Sequence, residues 1–547
     1  MVRARTVQPV QIPPPVKGMV DEASMLPAEQ GYARQLRNLI VRPSYVYERP
    51  SQDTLSISGA SSTLTYFLWG SSGDNAYLYD NGRLEQEDGT LLYASSFSSG
   101  PINEHRFKTD VFLCNSDTSE PIIQRRNSSW GAFQFTLASL TNSEVIGSTS
   151  YRGRMYFWGS DSGIPTVEYA NAAGNVNGAT TAYQPDEFLA GGEQIAFCSP
   201  VVVEIGIDTT EVFALYGDRG TVLIFNGSEP GSWALTASYK MSPPAGLLSY
   251  VRIQGDVVVA ARDYSYSTRD LFANGSNIGL TNSTTAQISD LYRRFALTDV
   301  TVTYYPALDC IIYMGAYAAQ FMPSDDDDYT FTGTYFRSAQ LVYFRETQSW
   351  AIWDVPQLRG TVRATTIESS GITRGILEWH VGNKEMRLGT SYAYLDEIAS
   401  DAEISFVSSL GNRRFYSVVE TGPLSARNGE ISGVRWLYRH LRQALTSISY
   451  YEAVGALKEL DSFNGSVFRE PQDNFSALAS QQFTIDAPSS LSAIPLQSEF
   501  SDMNIQGYIL TLYAQSRNFG SGVMVVGNDR VQGYGWEIFF QQGGVLE

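Results

Sequence analysis

Val212-Phe-Ala-Leu-Tyr-Gly217 is an apolar run without a single charge. Five other stretches share its look: Tyr66-Phe-Leu-Trp-Gly70, Val111-Phe-Leu-Cys114, Met155-Tyr-Phe-Trp-Gly159, Val257-Val-Val-Ala260 and Ile311-Ile-Tyr-Met-Gly315. In chain order their starts lie 45, 44, 57, 45 and 54 residues apart. Each run is short, apolar and rich in aromatic and β-branched residues, so each reads as a strand. Four-stranded propeller blades recur at ~40–50 residues, with insertions placed in loops.

A second feature is in phase with the first. Ile122-Ile-Gln-Arg-Arg-Asn-Ser-Ser-Trp130, Val222-Leu-Ile-Phe-Asn-Gly-Ser-Glu-Pro-Gly-Ser-Trp233 and Leu341-Val-Tyr-Phe-Arg-Glu-Thr-Gln-Ser-Trp350 each read as strand, polar turn, then Ser-Trp opening the next strand. Asn, Gly and Ser reverse the chain, and the Trp falls where a neighbouring blade can cover its ring. The hairpin resembles that of kelch-type blades. The expected fold is all-β: a propeller of six blades, or seven if Ala364-Thr-Thr-Ile367 and Gly375-Ile-Leu-Glu-Trp-His380 form a further unit, followed by a C-terminal β-sandwich or barrel. The expected divisions are an extended arm with a short helix over 1–50, the propeller over 51–400 and the last domain over 401–547. In that last domain the blade spacing stops and longer alternating strands such as Val434–Tyr438 and Ile505–Tyr513 take over. The best short helix candidates are Ala28–Ile40 and Leu441–Leu445.

Composition narrows the function. The chain has 547 residues, a formal net charge of −19 and 33 tyrosines. Such a surface argues against tight binding of nucleic acid, because contacts to phosphate supply most of that affinity. No segment has the ~18–20 apolar residues that span a bilayer, and 1–20 lacks the apolar core of a secretory signal. Cys114, Cys198 and Cys310 are far apart and set in apolar runs, which is neither a disulfide framework nor a metal site.

Catalytic patterns are scarce. His105, His380 and His440 are the only histidines, and none has a metal-type partner two to four residues away. There is no nucleophile elbow and no phosphate loop. Sialidase-like propellers carry Ser-x-Asp-x-Gly-x-Thr-Trp turns. Gly159-Ser-Asp-Ser-Gly-Ile-Pro-Thr166 has another register and no Trp. We therefore expect no enzyme, no metal and no cofactor. Asp325, Asp326, Asp327 and Asp328 form a run without the interleaved ligands and Gly turn of a calcium loop. They read as a self-repelling loop and as a candidate channel or gate loop. Arg435, Arg439 and Arg442, with His440, form a basic cluster, either an ordinary solvated strand face or a contact to a subunit or to phosphates.

The N-terminal residues carry a resemblance. Gln8–Pro15 is Pro-rich and extended. It is followed by Gly18-Met-Val-Asp-Glu-Ala-Ser-Met-Leu-Pro27, Gln35-Leu-Arg-Asn-Leu-Ile40 and Tyr45-Val-Tyr-Glu-Arg-Pro50. This order of glycine-opened arm, Leu-Pro, Asn38 and Arg49-Pro50 resembles the start of the short-tailed phage nozzle proteins, the family of tail tubular protein B and the packaged-DNA stabilisation proteins. Ser51 stands where that family usually has Gly. The resemblance implies a virion structural protein, a homohexameric ring at the distal end of a short tail. It would bind an adaptor ring and fibres or a tail tip, and meet a host receptor. It would retain the genome and let double-stranded DNA pass without tight binding, with the Pro-rich arm strapped onto a neighbour. The alternatives are a carbohydrate-binding or glycan-degrading propeller and a kelch-like interaction scaffold.

Overall fold

The structure is a computed structural model. It describes residues 8–20, 30–48, 52–56, 64–68, 76–95, 102–115, 122–275, 283–295, 300–315 and 337–356, less a few isolated positions, and the backbone of the strands between 362 and 541.

Every apolar run is a strand. Sheet 2 is a meander of Ile102–Phe107, Asp110–Asn115, Ile123–Arg126 and Ser129–Ala132. Sheet 3 repeats it with Val145–Tyr151, Arg154–Asp161, Ile164–Ala170 and Gly178–Tyr183. Sheet 4 does so with Ile195–Ile205, Asp208–Gly217, Thr221–Asn226 and Ala234–Lys240. Sheet 5 has three strands, Tyr250–Ile253, Asp256–Ala260 and Ser265–Ser267, and leads into a helix, Thr268–Asn274, capped by Ser267. Sheet 6 opens with Val300–Tyr305 and Cys310–Gly315 and continues with Arg337–Phe344 and Ser349–Pro356.

Five of the six runs occupy the second strand of their sheet. The exception is Tyr66–Gly70. In sheet 1 it falls on the first strand, Leu64–Leu68, and the second-strand position belongs to Ala76–Tyr79, whose residues are all buried. Both strands are aromatic and apolar, so composition alone does not separate them.

The reason these strands carry unbroken apolar runs is visible in sheet 2. Val111 and Leu113 join one core with Ala76, Leu78 and Leu84 of sheet 1. Phe112 and Cys114 point the other way, into a core with Met155 and Phe157 of sheet 3. Sheet 3 repeats the alternation, with Tyr156 and Trp158 facing sheet 4. In sheet 5, Val257 and Val259 face sheet 4 while Val258 and Ala260 face sheet 6. A strand whose two faces both meet a neighbouring sheet has no polar side to show. The Ser-Trp hairpins behave as expected: Trp130 packs on the core of sheets 1 and 2, Trp233 stacks on Tyr156 of sheet 3, and Trp350 is fully buried against Tyr313.

The run around Ala364 does form a seventh sheet. Val362–Ser369, Ile372–Val381 and Lys384–Leu388 are completed by Gln52–Ser56 from the start of the chain. Sheet 7 contacts Val300–Tyr305 of sheet 6 on one side and Leu64–Leu68 of sheet 1 on the other. The ring of sheets is thereby closed by a strand borrowed from the N-terminal end, and the fold is an all-β propeller.

The N-terminal residues are not a free arm. Gln8–Ile12 pairs with Val531–Gln541 of the same chain, and so does Tyr45–Glu48. The helix expected over Ala28–Ile40 is replaced by two strands, Ala33–Arg37 and Leu39–Arg42. Pairing overrides helix propensity here. Ala33–Arg37 lies between Ser349–Pro356 of sheet 6 and Ser417–Pro423, so one ladder runs from sheet 6 on to Tyr508–Gln515 and Glu452–Glu459. A second sheet holds Leu39–Arg42, Tyr45–Glu48, Val531–Gln541, Glu430–His440 and Leu491–Leu496. The C-terminal unit is thus built from both ends of the chain, and the expected divisions at 50 and 400 are crossed by backbone hydrogen bonds. Leu36, Leu39, Ile40 and Val41 share the core of sheet 6, where the Trp353 indole N–H donates to the Leu39 carbonyl at 2.9 Å. Gly18 fits this seam for a steric reason. Its φ is +81°, and a Cβ there would lie 2.6 Å from the Trp350 backbone nitrogen.

Candidate functional site

The polar groups that join several sheets at once lie at the centre of the ring. Asn103 is on the first strand of sheet 2. Its side-chain oxygen accepts from the Ser148 N–H of sheet 3 at 2.9 Å, and its amide donates to the Tyr250 hydroxyl of sheet 5 at 3.2 Å. Sheets 2 and 5 are as far apart around a ring of seven as two sheets can be, so Tyr250 reaches across the axis. Phe197 of sheet 4 stacks on Tyr250 with centroids 3.9 Å apart, and Tyr216 stacks on Phe197 at 4.3 Å. The Cys114 thiol lies 3.6 Å from the Ser148 hydroxyl.

Two residues further along the same strands stand His105 and Arg252. His105 Nε2 is shut off from solvent and has no hydrogen-bond partner. Burial first, then the Arg252 guanidinium, lowers the imidazole to about 4, against an opposing pull from Glu104. The ring is neutral at pH 7. Arg252 is open to solvent but flanked by protein, and loss of hydration pulls its guanidinium below the usual value, against Glu211 and the tyrosines Tyr250 and Tyr216.

Two buried carboxylates hold loops of sheets 3 and 4. Glu168 is fully buried and accepts from the backbone N–H groups of Ala138, Ser139 and Leu140 at 2.7, 2.7 and 2.6 Å, and from the Thr180 hydroxyl. Glu193 takes the N–H groups of Ala190, Arg219 and Thr221 and the Thr221 hydroxyl. Burial disfavours its charge, yet the bonds from Thr221 and Ala190 outweigh that and lower its pKa. Both carboxylates are satisfied structural clamps. The signal that marks Glu168 is a lone Glu inside the strand-like stretch Ile164–Ala170.

The residues singled out from the sequence fall elsewhere. Asp325, Asp326, Asp327 and Asp328 lie outside the described residues, as do Arg442, Asn38 and Arg49-Pro50. Arg435 and Arg439 share the strand Glu430–His440, with Arg435 opposite Glu537 and Arg439 opposite Gln532. His380 stands opposite Glu385 in sheet 7. Gly159–Thr166 is an ordinary hairpin, turning at Ser162 and Gly163 with φ of 49° and 88°. All three cysteines are buried and free. Burial pushes the Cys114 thiol up to about 12, against the Ser148 hydrogen bond, and raises Cys198 and Cys310 well above the usual range, so they are inert packing groups. The axial cluster escaped the sequence reading because it is assembled from the first strand of each sheet, whereas the repeat marks the second.

No family model and no curated protein matches the chain. Among solved structures it is similar to an exo-β-1,3-galactanase from Phanerochaete chrysosporium, at 9% identity over 88% of this chain and 100% of that one, with a TM-score of 0.23. It is also similar to the six-bladed fungal lectin of Aleuria aurantia, at 13% identity over 55% of this chain and 98% of that one, TM-score 0.27. The WD40 domain of SCAP from fission yeast aligns at 10% identity over 66% and 85% of the two chains, TM-score 0.25.

Proposed function

We propose that the chain is a structural protein of a bacteriophage virion, the nozzle at the distal end of a short tail, which retains packaged DNA and conducts it during ejection. The observation that carries this reading is the N-terminal signature from Gly18 to Pro50. Two physical features support it. A ring closed by its own N-terminal strand, and laddered into a second β unit, resists deformation better than a string of separate domains. A net charge of −19 repels the phosphate backbone, so a duplex slides past without sticking. The Asn103–Tyr250 bridge crosses the propeller axis, so DNA would run between copies of the chain and not through one propeller. Electron microscopy of the purified protein and of virions tests the reading. Six-fold rings with a central opening, found at the tail end, are expected. A monomer absent from tail particles would contradict it.

A second reading, a glycan-binding or glycan-degrading propeller, is favoured by one locus between sheets 3 and 4. There the Arg154–Glu229 ion pair, at 3.0 Å, lies near the half-buried rings of Tyr183 and Trp233, with Tyr156 fully buried beneath Trp233. Sugars are bound by such a combination of apolar faces and charged hydrogen-bonding groups. Silence on a glycan array and in a polysaccharide hydrolysis assay would remove it.

A further inference from the structure

We infer that Asn274 is a modification site, where the side-chain amide is lost to attack by the Gly275 backbone nitrogen and aspartate or isoaspartate remains. The Gly275 nitrogen bonds to the Asn274 side-chain carbonyl carbon, the bond from that carbon to the amide nitrogen breaks, and ammonia leaves with the proton given up by the glycine nitrogen. A water molecule then opens the five-membered imide at one of its two carbonyls. Glycine is the most permissive residue at the attacking position, because it has no Cβ beside its nitrogen. The chain has six Asn-Gly pairs, opening at Asn81, Asn177, Asn226, Asn274, Asn428 and Asn464. Sequence alone does not rank them. Asn428 and Asn464 lie outside the described residues, and the structure separates the other four.

Three of the four are held. The Asn81 side-chain oxygen accepts from the Arg83 N–H at 3.1 Å, and the Gly82 N–H donates to the Tyr79 carbonyl at 2.9 Å. Gly178 opens a strand. It stands opposite Phe135, and its N–H donates to the Gln134 carbonyl at 3.4 Å. Asn226 is itself a strand residue opposite Ala234, and its side-chain oxygen accepts from Arg152 at 3.3 Å. A Cβ on Gly227 would lie 2.4 Å from the Ser232 carbonyl oxygen, so the turn leaves that glycine little room to move.

Asn274 has no such restraint. It is the last residue of the helix Thr268–Asn274, it is exposed, and its side chain makes no hydrogen bond among the described residues. A Cβ on Gly275 would meet nothing within 4 Å, so the attacking residue is open on that side. Ring closure requires the Asn274 backbone to leave the helical conformation, so that the side-chain carbon reaches the next nitrogen. That change costs least at a helix end, where fraying is local and leaves the buried Leu271 in place. Either product puts a carboxylate four residues after Asp270 and at the negative end of the helix, and both placements weaken the helix.

The test is peptide mapping of the full chain by mass spectrometry after incubation at mildly alkaline pH, folded and in concentrated urea. The tryptic peptide Asp270–Arg293 reports on Asn274, and its fragmentation assigns the gain in mass to one asparagine and separates isoaspartate from aspartate. In the folded protein Asn274 should convert at least about fivefold faster than Asn81, Asn177 or Asn226, because only its local opening is cheap. In urea, where local sequence alone acts, that lead should vanish. Equal rates at the four sites in the folded protein would overturn the proposal. So would faster conversion at one of the other three, or a lead at Asn274 that persists unchanged in urea.

Discussion

Sheets 2 to 5 and the seam where the two chain ends meet are built by opposite rules. In the sheets each strand pairs with its sequence neighbour, as in the register of Asp110–Asn115 between Ile102–Phe107 and Ile123–Arg126. In the seam Gln8 pairs with Phe540, and Gln52 with Leu388. The first kind of contact is local, and its loss damages one pair of neighbouring cores. The second closes loops hundreds of residues long, and a ring has no partial closure. Local meanders make a propeller easy to nucleate, while the non-local clasp decides whether it stays shut.

The comparison breaks most severely if the clasp is removed. Deleting residues 1–56 takes away Gln52–Ser56 and all three N-terminal strands that pair with the C-terminal unit. The expected outcome in denaturant unfolding is loss of the single cooperative transition and exposed apolar surface that binds ANS. A truncated protein that unfolds like the full chain would show that the seam is dispensable. Next comes Phe213→Ala in sheet 4. Phe213 is fully buried, with ring centroids 4.8 Å from Trp233, 4.9 Å from Tyr156 and 5.5 Å from Tyr151. Its truncation should cost about 3–5 kcal/mol in urea unfolding while leaving the fold cooperative.

The smallest effect concerns pH. His105 is held neutral in the fold, to about 4, and titrates near its ordinary value when unfolded. The unfolded chain then binds more protons between about pH 6.5 and pH 4, so this residue's contribution to stability falls as pH falls through that window. His105→Gln should flatten the acid limb of a stability–pH profile by roughly 2–3 kcal/mol at pH 4. An unchanged limb would place the imidazole in contact with water. Glu193 works on the same side. Its lowered pKa gives stability that is present above the ordinary carboxylate range and lost as pH falls through the folded value.

The two regions also differ in how far they could be read in advance. The apolar runs, their spacing and the Ser-Trp hairpins expose the sheets because burial on both faces leaves an unbroken signature in a single segment. Val111, Phe112, Leu113 and Cys114 face two cores from four consecutive positions. The seam has no such signature. Ala33–Arg37 carries Gln35 and two arginines, and its pattern of Leu36 and Ile40 suits a helix as well as a strand; only the partners at Ser349–Pro356 and Ser417–Pro423 decide it. The count of sheets stayed open for the same reason, since the fourth strand of sheet 7 comes from the other end of the chain. The axial groups were hidden in another way. Asn103, Tyr250 and Arg252 are unremarkable in sequence and become a cluster only when the ring brings the first strands together. His105, without a metal-type partner in the sequence, is a part-buried group whose shielded ring nitrogen has no hydrogen-bond partner.

Closure of the ring by Gln52–Ser56 is the central claim, and disulfide trapping tests it directly. Asp53 stands opposite Arg387 in the register of sheet 7. Directly opposed residues on antiparallel strands have Cβ atoms about 4.5–5.5 Å apart, close enough for a bridge with slight adjustment. The protein carrying Asp53→Cys and Arg387→Cys should form an intramolecular disulfide under mild oxidation, joining the two fragments of a chain cleaved between them until it is reduced. Fragments that separate without reductant, from a protein that is otherwise folded, would mean that the ring is not closed by its N-terminal strand.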